Sequence, residues 1–152
     1  MLRNLVSTFW FHAQPLYLLT QLQELLIMLS KDIYYNKFIS SAIAEDSRNK
    51  FGKASSVEGV PNELHRFYTN CNPIDVEISY PGIGALRFYG IEELKELQSD
   101  YSLQSTDFVF ATCNGDPVFL NNDAVYISLP ENYTPELLAS SFEEFINNYI
   151  EK

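Results

Sequence analysis

Three short apolar runs separated by two turn sequences occupy residues 107–129, and this pattern constrains the fold more than any other part of the chain. Between the first two runs stand Asn114 and Gly115, a pair that readily supplies the positive φ angles of a tight hairpin turn. Pro117 begins the second run, where its missing amide hydrogen harms a strand ladder least. The pattern predicts three sequential antiparallel strands, the first of them central and covered on both faces.

Apolar residues at three- and four-residue steps predict two helices before this meander. The first lies between residue 31 and Gly52, where the glycine is a good stop, and the second opens at Pro61 and ends at Pro73. The residues predicted to face the core are Ile33, Phe38, Ile39 and Ile43 in the first helix and Leu64, Phe67 and Tyr68 in the second.

Between the second helix and the meander, the sequence predicts two more strands and an acidic helix. "IDVEIS" alternates, so Ile74, Val76 and Ile78 are expected to share the buried face of a strand. "GALRFYG" follows the turn sequence "YPGIG" and predicts another strand. The helix is expected in "IEELKELQSDY", where the inward side chains would be Leu94, Leu97 and Tyr101 and the outward acidic ones Glu92, Glu96 and Asp100.

The C-terminal segment predicts a helix that covers one face of the sheet. It offers two starts: Thr134 before a proline, or one of the serines at 140 and 141, each followed three residues later by a glutamate as in a capping box. We favour the serine start, with residues 135–139 as a short turn. The apolar face of this helix would be Phe142, Phe145, Ile146 and Tyr149.

Together these elements predict an α+β fold: a single domain in which an antiparallel meander packs against N-terminal helices and a C-terminal helix. The chain has 152 residues, of which 46% are apolar and 14% aromatic, enough to close one hydrophobic core. Two independent domains are not expected at this length.

Net charge excludes one class of partner. Ten basic against twenty acidic side chains leave a formal charge of −10, whereas direct nucleic-acid binding requires a basic surface. Residues 81–152 carry three of the basic and twelve of the acidic side chains. A field of one sign can steer a basic partner, although its commonest meaning is a soluble surface.

Residues 1–30 have two interpretations that stay open. Arg3 and the apolar run after it resemble a weak signal peptide, but no cleavage site follows, and polar residues interrupt any membrane span. In one interpretation the segment is a helical extension, amphipathic through leucines at helical spacing. In the other, translation begins at Met28 and the first 27 residues are a start-site artefact. The leucines are Leu19, Leu22, Leu26 and Leu29.

No catalytic, metal or cofactor motif is evident. His12 and His65 have no acid or nucleophile in a recognisable local arrangement, and Cys71 and Cys113 lack the spacing of a zinc or redox pair. The acids and asparagines of residues 116–123 lack the ligand spacing of a calcium loop. We therefore expect a non-enzyme with no cofactor and no metal.

Three phrases, in this order, resemble the SUKH superfamily. They are "VPNELHRFYTNCNP", "LRFYGIEELKEL", and "FVFATCNGDPVFLNNDAVYISL" followed by "LASSFEEFI". The resemblance covers residues from about 33 to 150 and is most specific in the last third. Asn72 and Pro73 depart from it, because the superfamily commonly has Asn–Gly there. The resemblance implies a SUKH-like domain at residues 31–152, in a superfamily of bacterial toxin-immunity proteins and fungal regulators of cell-wall glucan synthesis.

The function that the resemblance implies is protein binding without catalysis: a cytoplasmic immunity protein that neutralises a cognate, nuclease-type toxin. The alternative is a regulatory scaffold or small-ligand binding module of the same fold. The acidic half suggests a basic protein partner, with no direct binding of nucleic acid or membrane. The residues predicted to bind this partner are Glu92, Glu93, Glu96, Asp100, Asp116 and Asp123, with Tyr89 as an aromatic anchor.

Overall fold

The computed structural model describes residues 5–129 and 134–152, with side chains from residue 15 onward. It divides the chain into two compact units, residues 1–34 and residues 35–152. The helices in the described part are α1 (Leu5–Glu45), α2 (Asn62–Cys71), α3 (Leu94–Asp100) and α4 (Phe142–Ile150). The strands in the same part are β1 (Lys50–Gly52), β2 (Asn72–Tyr80), β3 (Gly84–Phe88), β4 (Asp107–Cys113), β5 (Asp116–Asn121), β6 (Ala124–Ile127) and β7 (Glu136–Ala139).

Within the described residues, the seven strands form one sheet in the order β1-β2-β3-β4-β5-β6-β7, and every neighbouring pair is antiparallel. The predicted α+β class and the predicted meander are confirmed. Asn114 and Gly115 turn the β4–β5 hairpin with φ angles of 52° and 90°, as their chemistry requires. β4 is the middle strand, and its residues 109–113 are all buried.

Aromatic rings fill the core of the second unit, between one face of the sheet and helices α2, α4 and the last turns of α1. Phe38 lies at the centre, with its ring centroid 5.6 Å from those of Phe88 and Tyr149. Tyr80 of β2 stacks on Phe145 of α4 at 4.4 Å. Such pairs add about 0.5 to 1.5 kcal/mol each beyond the area they bury, so this cluster fixes the helices on the sheet.

The first helix ends earlier than predicted. α1 stops at Glu45, and Gly52 lies in β1 rather than closing the helix. Its buried residues in the second unit are Tyr35, Phe38 and Ala42, so the predicted core positions other than Phe38 are wrong: Ile39 is only half-buried and Ile43 is exposed. The helix does not extend to Gly52 because residues 50–52 pair with β2 and extend the sheet.

Ile33, also predicted to face the core, belongs to the first unit and is 60% exposed. The prediction for this residue is wrong as well.

The prediction that Ile74 faces the core is also wrong. Val76 and Ile78 are buried as predicted, but Ile74 is 61% exposed. Lys50 pairs with Asp75 and Phe51 with Pro73, so one residue of β2 is left without a partner between them. Ile74 is this bulged residue, and a bulge shifts the alternation of the strand before it.

The C-terminal helix begins at the predicted serines. Ser141 is the N-cap of α4, and its Oγ accepts a hydrogen bond of 3.0 Å from the Glu144 amide. The Glu144 carboxylate accepts in turn from the Ser140 amide at 2.6 Å. Residues 136–139 form β7, however, rather than the predicted turn. Pairing with β6 decides the conformation of a segment too short to carry a strand pattern of its own.

Glu45 joins the end of α1 to β2 and α4. Its Oε1 accepts a hydrogen bond of 2.5 Å from the Ser79 amide, and its Oε2 accepts from the Tyr149 hydroxyl at 2.9 Å and Lys152 Nζ at 2.5 Å. Partial burial alone would raise the pKa of this carboxyl, but the bonds from Lys152, Ser79 and Tyr149 outweigh it and lower the pKa to about 2.

Candidate functional site

The face of the sheet opposite the aromatic core is called the outer face here, and it carries Arg87, Tyr89 and Thr112. Leu86 and Phe88 alternate with them and are buried in the core. The Tyr89 hydroxyl lies 3.1 Å from Thr112 Oγ1, and the Arg87 guanidinium lies 5.0 Å from the centre of the Tyr89 ring. The alternation of the strand directs Tyr89, a predicted anchor, to the outer face. Its contacts with Thr112 and Arg87 hold the side chain in place.

Helix α3 is fixed to the sheet through Gln98. Its Nε2 donates a hydrogen bond of 2.7 Å to the Val109 carbonyl, and its Oε1 accepts one of 2.8 Å from the Val109 amide. Leu94 and Leu97 are buried as predicted, whereas Tyr101 is half-buried. These two bonds set the position of α3 relative to β4.

The acidic helix is shorter than predicted. α3 begins at Leu94, so Glu92 and Glu93 lie in the turn before it, and Glu96 and Asp100 remain on the helix. Glu92, Glu96 and Asp100 are exposed.

Glu93 has contacts within the fold. Its Oε2 accepts a hydrogen bond of 3.0 Å from the Gly90 amide, and its Oε1 lies 3.9 Å from Arg87 Nη2. The neighbouring Ile91 amide donates to Asn72 Oδ1 at 2.8 Å. The turn before α3 is thus held at both ends, and Glu93 has a structural role besides its charge.

Tyr101 connects the end of α3 to the β4–β5 hairpin. Its hydroxyl donates a hydrogen bond of 2.8 Å to the Gly115 carbonyl. Partial burial and the proximity of Tyr89, Asp100 and Asp116 raise the pKa of Tyr101. Two predicted acids from separate elements, Asp100 and Asp116, are therefore brought together around one phenol. We call the set Glu92, Glu96, Asp100 and Asp116, with Tyr89 and Tyr101, the acidic surface.

Asp123 does not join this set. Asp116 begins β5, and Asp123 lies in the turn after its last residue, Asn121. Five steps along a strand separate the two ends of β5 by roughly 17 Å. Asp123 therefore lies at the opposite end of the sheet from Asp116.

An open groove of about 570 Å³ runs beside Tyr101 on the outer face. Two acids line it: Asp116 at one side and Asp107 at the start of β4. Asp107 accepts hydrogen bonds from Asn121 Nδ2 at 2.6 Å and from the Gln104 amide at 3.1 Å. Sequence analysis missed both Asp107 and Arg87. The alternation of β3 could have placed Arg87 beside Tyr89 on the outer face.

The histidine and thiols that were considered for chemistry have structural contacts. His65 Nε2 lies 2.7 Å from the Val60 carbonyl oxygen. Cys71 and Cys113 are free and buried, and burial raises the pKa of Cys71 to about 12, away from that of a reactive thiolate. The His12 side chain lies outside the described residues. Among the residues described, no group of His, Cys, Asp and Glu side chains could hold a metal ion.

Residues 57–148 match the model of the SMI1/KNR4 family (SUKH-1). The chain belongs to this family. The matched region extends from the loop before α2 into α4 and includes the whole acidic surface. Membership supports a non-catalytic immunity or regulatory role at the level of the family. No curated protein matches the chain significantly. In the part of the chain that the structure describes, no helix has the length and apolarity that crossing a membrane requires.

Proposed function

We propose that this SUKH-1 domain is an immunity protein that neutralises a cognate toxin by binding it directly through the acidic surface. The partner would be a basic, nuclease-type toxin domain, met in the cytoplasm. One observation carries the proposal: Asp100 of α3 and Asp116 of the β4–β5 hairpin converge on Tyr101. Acids from two separate elements thus lie beside one aromatic side chain.

Charge would raise the rate of encounter with the toxin and would favour it over partners of the wrong charge. A nuclease domain binds phosphate with basic side chains, so its active face has the opposite potential to the acidic surface. Complementary potentials steer diffusional encounter and disfavour partners of the wrong charge. The net charge of −10 also makes nucleic acid itself an unsuitable partner.

Affinity would come from aromatic anchors that are ordered before binding. Tyr89 and Tyr101 are half-buried, and the hydroxyl of each already has a partner within the fold. A side chain that is already immobilised loses less entropy when a partner covers it. Aromatic residues of this kind are frequent among the few that dominate binding energy.

The proposal is tested by co-expression and pull-down with a candidate toxin, such as one encoded beside this gene. The test variant is Glu96→Lys with Asp100→Lys. Its control is Glu58→Lys with Glu63→Lys, which makes the same change of charge at two exposed acids outside the acidic surface. Loss of rescue and of complex in the first variant alone supports the proposal. Equal binding by both variants, or no complex with the unaltered protein, contradicts it.

The alternative is a regulatory or small-ligand binding module, and the groove beside Tyr101 is the observation that favours it. Its volume of about 570 Å³ falls within the usual range for small-molecule sites. Native mass spectrometry of protein purified from its own host distinguishes the two functions. A bound small molecule released by Asp107→Ala or Tyr101→Ala supports the module, and a mass equal to that of the bare chain contradicts it.

A further inference from the structure

Among the described side chains, most of the large apolar ones that are exposed lie in the first unit. Every Leu, Ile and Met from Leu16 to Leu29 is at least 49% exposed. Leu16 at 68% and Leu26 at 65% are the most exposed of these side chains. Soluble monomers rarely expose apolar patches of this extent, and such patches mark interaction surfaces.

Six leucines of this stretch lie on one side of the helix. At 100° per residue, they fall within an arc of about 120°, which is the width of a core-facing stripe. We call them the leucine stripe: Leu18, Leu19, Leu22, Leu25, Leu26 and Leu29. Four of them are separated by steps of four, three and four residues, which is the a and d spacing of a coiled coil. Leu18 and Leu25 take the d positions, and Leu22 and Leu29 take the a positions. The next d position is Asp32, where the stripe ends.

We propose that the leucine stripe binds the same stripe of a second copy of this chain, so that the protein forms a dimer through α1. Two identical helices present self-complementary surfaces when related by a two-fold axis. The flanking e and g positions between Leu18 and Leu29 are Leu19, Gln21, Leu26 and Met28. All are uncharged, so the flanks of the leucine stripe bring no like charges together.

The polar side of the helix argues against a lipid surface as the partner. The polar residues of this stretch are Thr20, Gln21, Gln23, Glu24 and Ser30, and the side opposite the stripe also carries Leu16 and Ile27. Helices that lie on membranes usually carry Lys and Arg on this side, because headgroup phosphates attract them. Residues 16–30 contain neither, and their one charged residue, Glu24, is acidic.

The area of the leucine stripe is smaller than that of a standard interface, so we expect a weak dimer. A leucine side chain has roughly 130 Å² of apolar surface at about 32 Å² per carbon, and the six are between 50% and 65% exposed. They supply roughly 450 Å² per chain, against about 800 Å² per partner in a standard interface. Met28 and Ile33, at 50% and 60% exposure, flank the stripe and add to this area. The expected dimer therefore dissociates on dilution.

Sedimentation velocity of the full 152-residue chain over a wide concentration range tests the proposal. The mass is expected to rise from 17.5 kDa towards twice that value. The test variant is Leu22→Gln with Leu26→Gln in the stripe. The control is Leu16→Gln with Ile27→Gln, which removes two exposed apolar side chains from the other side of the same helix.

The proposal requires the test variant to stay monomeric at concentrations where the control still dimerises. Circular dichroism of both variants checks that the second unit remains folded. A monomer at every concentration, or equal loss of dimer in both variants, overturns it. So does a monomeric chain that cosediments with vesicles of phosphatidylcholine and phosphatidylglycerol.

Discussion

The Tyr101 hydroxyl donates a hydrogen bond of 2.8 Å to the carbonyl oxygen of Gly115, fourteen residues further along the chain. This bond ties the end of α3 to the tip of the β4–β5 hairpin. It therefore holds Asp100 and Asp116 near each other, which neither element would do alone.

Replacing this hydroxyl is expected to loosen the hairpin with little loss of overall stability. Tyr101→Phe removes one partly exposed hydrogen bond, for which water substitutes, so the cost is about 0.5 to 1 kcal/mol. Amide hydrogen exchange at residues 113–116 is expected to accelerate in this variant and to stay unchanged in Tyr126→Phe. Equal exchange rates in both variants would show that the bond does not order the hairpin.

Gly90 is expected to be intolerant of a side chain. A Cβ at this position would overlap the Pro73 carbonyl oxygen, a backbone atom that cannot move away on its own. Gly90→Ala should therefore cost about 2 to 3 kcal/mol in urea unfolding. In the control, Gly52→Ala, the new Cβ meets the flexible tip of Ile74 at 3.3 Å, so the loss should be clearly smaller. A Gly90→Ala protein as stable as the Gly52→Ala protein would contradict the close approach.

Glu45 makes stability depend on pH. Because its pKa is lowered to about 2 in the folded protein, from 4.5, its contribution is fully present above pH 4.5 and is lost as the pH falls towards 2. Glu45→Gln should cost about 1 kcal/mol at neutral pH, since the carboxylate is partly exposed, and the difference from the unaltered protein should shrink below pH 4.5.

Urea unfolding at a series of pH values measures the Glu45 effect. A double-mutant cycle with Lys152→Met separates the ion pair from the bonds to Ser79 and Tyr149. A Glu45→Gln difference that stays constant from pH 7 to pH 2 would be inconsistent with the lowered pKa.

Asn49 is expected to be the most sensitive polar residue near β1. Its side chain is buried, donates to the carbonyl oxygens of Ala42 and Glu77 at 2.8 and 2.9 Å, and accepts from the Glu77 amide at 2.9 Å. Asn49→Ala leaves these backbone groups unpaired and should cost about 2 to 4 kcal/mol. Asn70→Ala is the control, because Asn70 donates to the carbonyl oxygen of Arg66 within its own helix. Similar losses in the two variants would refute the special role of Asn49.

Local chemistry determined which parts of the fold were predictable. The Asn114–Gly115 turn and the Ser141 cap are specified by a few adjacent residues, so sequence analysis placed β4, β5 and the start of α4 correctly. Strands β1 and β7 have three and four residues, too few for a recognisable alternation, and they form because neighbouring strands pair with them.

The candidate site was less accessible from sequence. The acids of α3 were evident, but their proximity to Asp116 depends on the bonds between Gln98 and Val109, which join elements without a shared pattern. Asp123 was grouped with Asp116 because they are close in the chain. The length of β5 separates them instead.

The strict succession of β1 to β7 bears on how the domain is made. Each strand pairs with the one synthesised just before it, so the sheet can extend step by step as the chain leaves the ribosome, with little entropy lost in closing each loop. The contact between Glu45 and Lys152 spans 107 positions and can form only after the whole stretch from α1 to α4 has been made. The ion pair that joins α1 to the end of α4 is therefore among the last contacts of the domain to form.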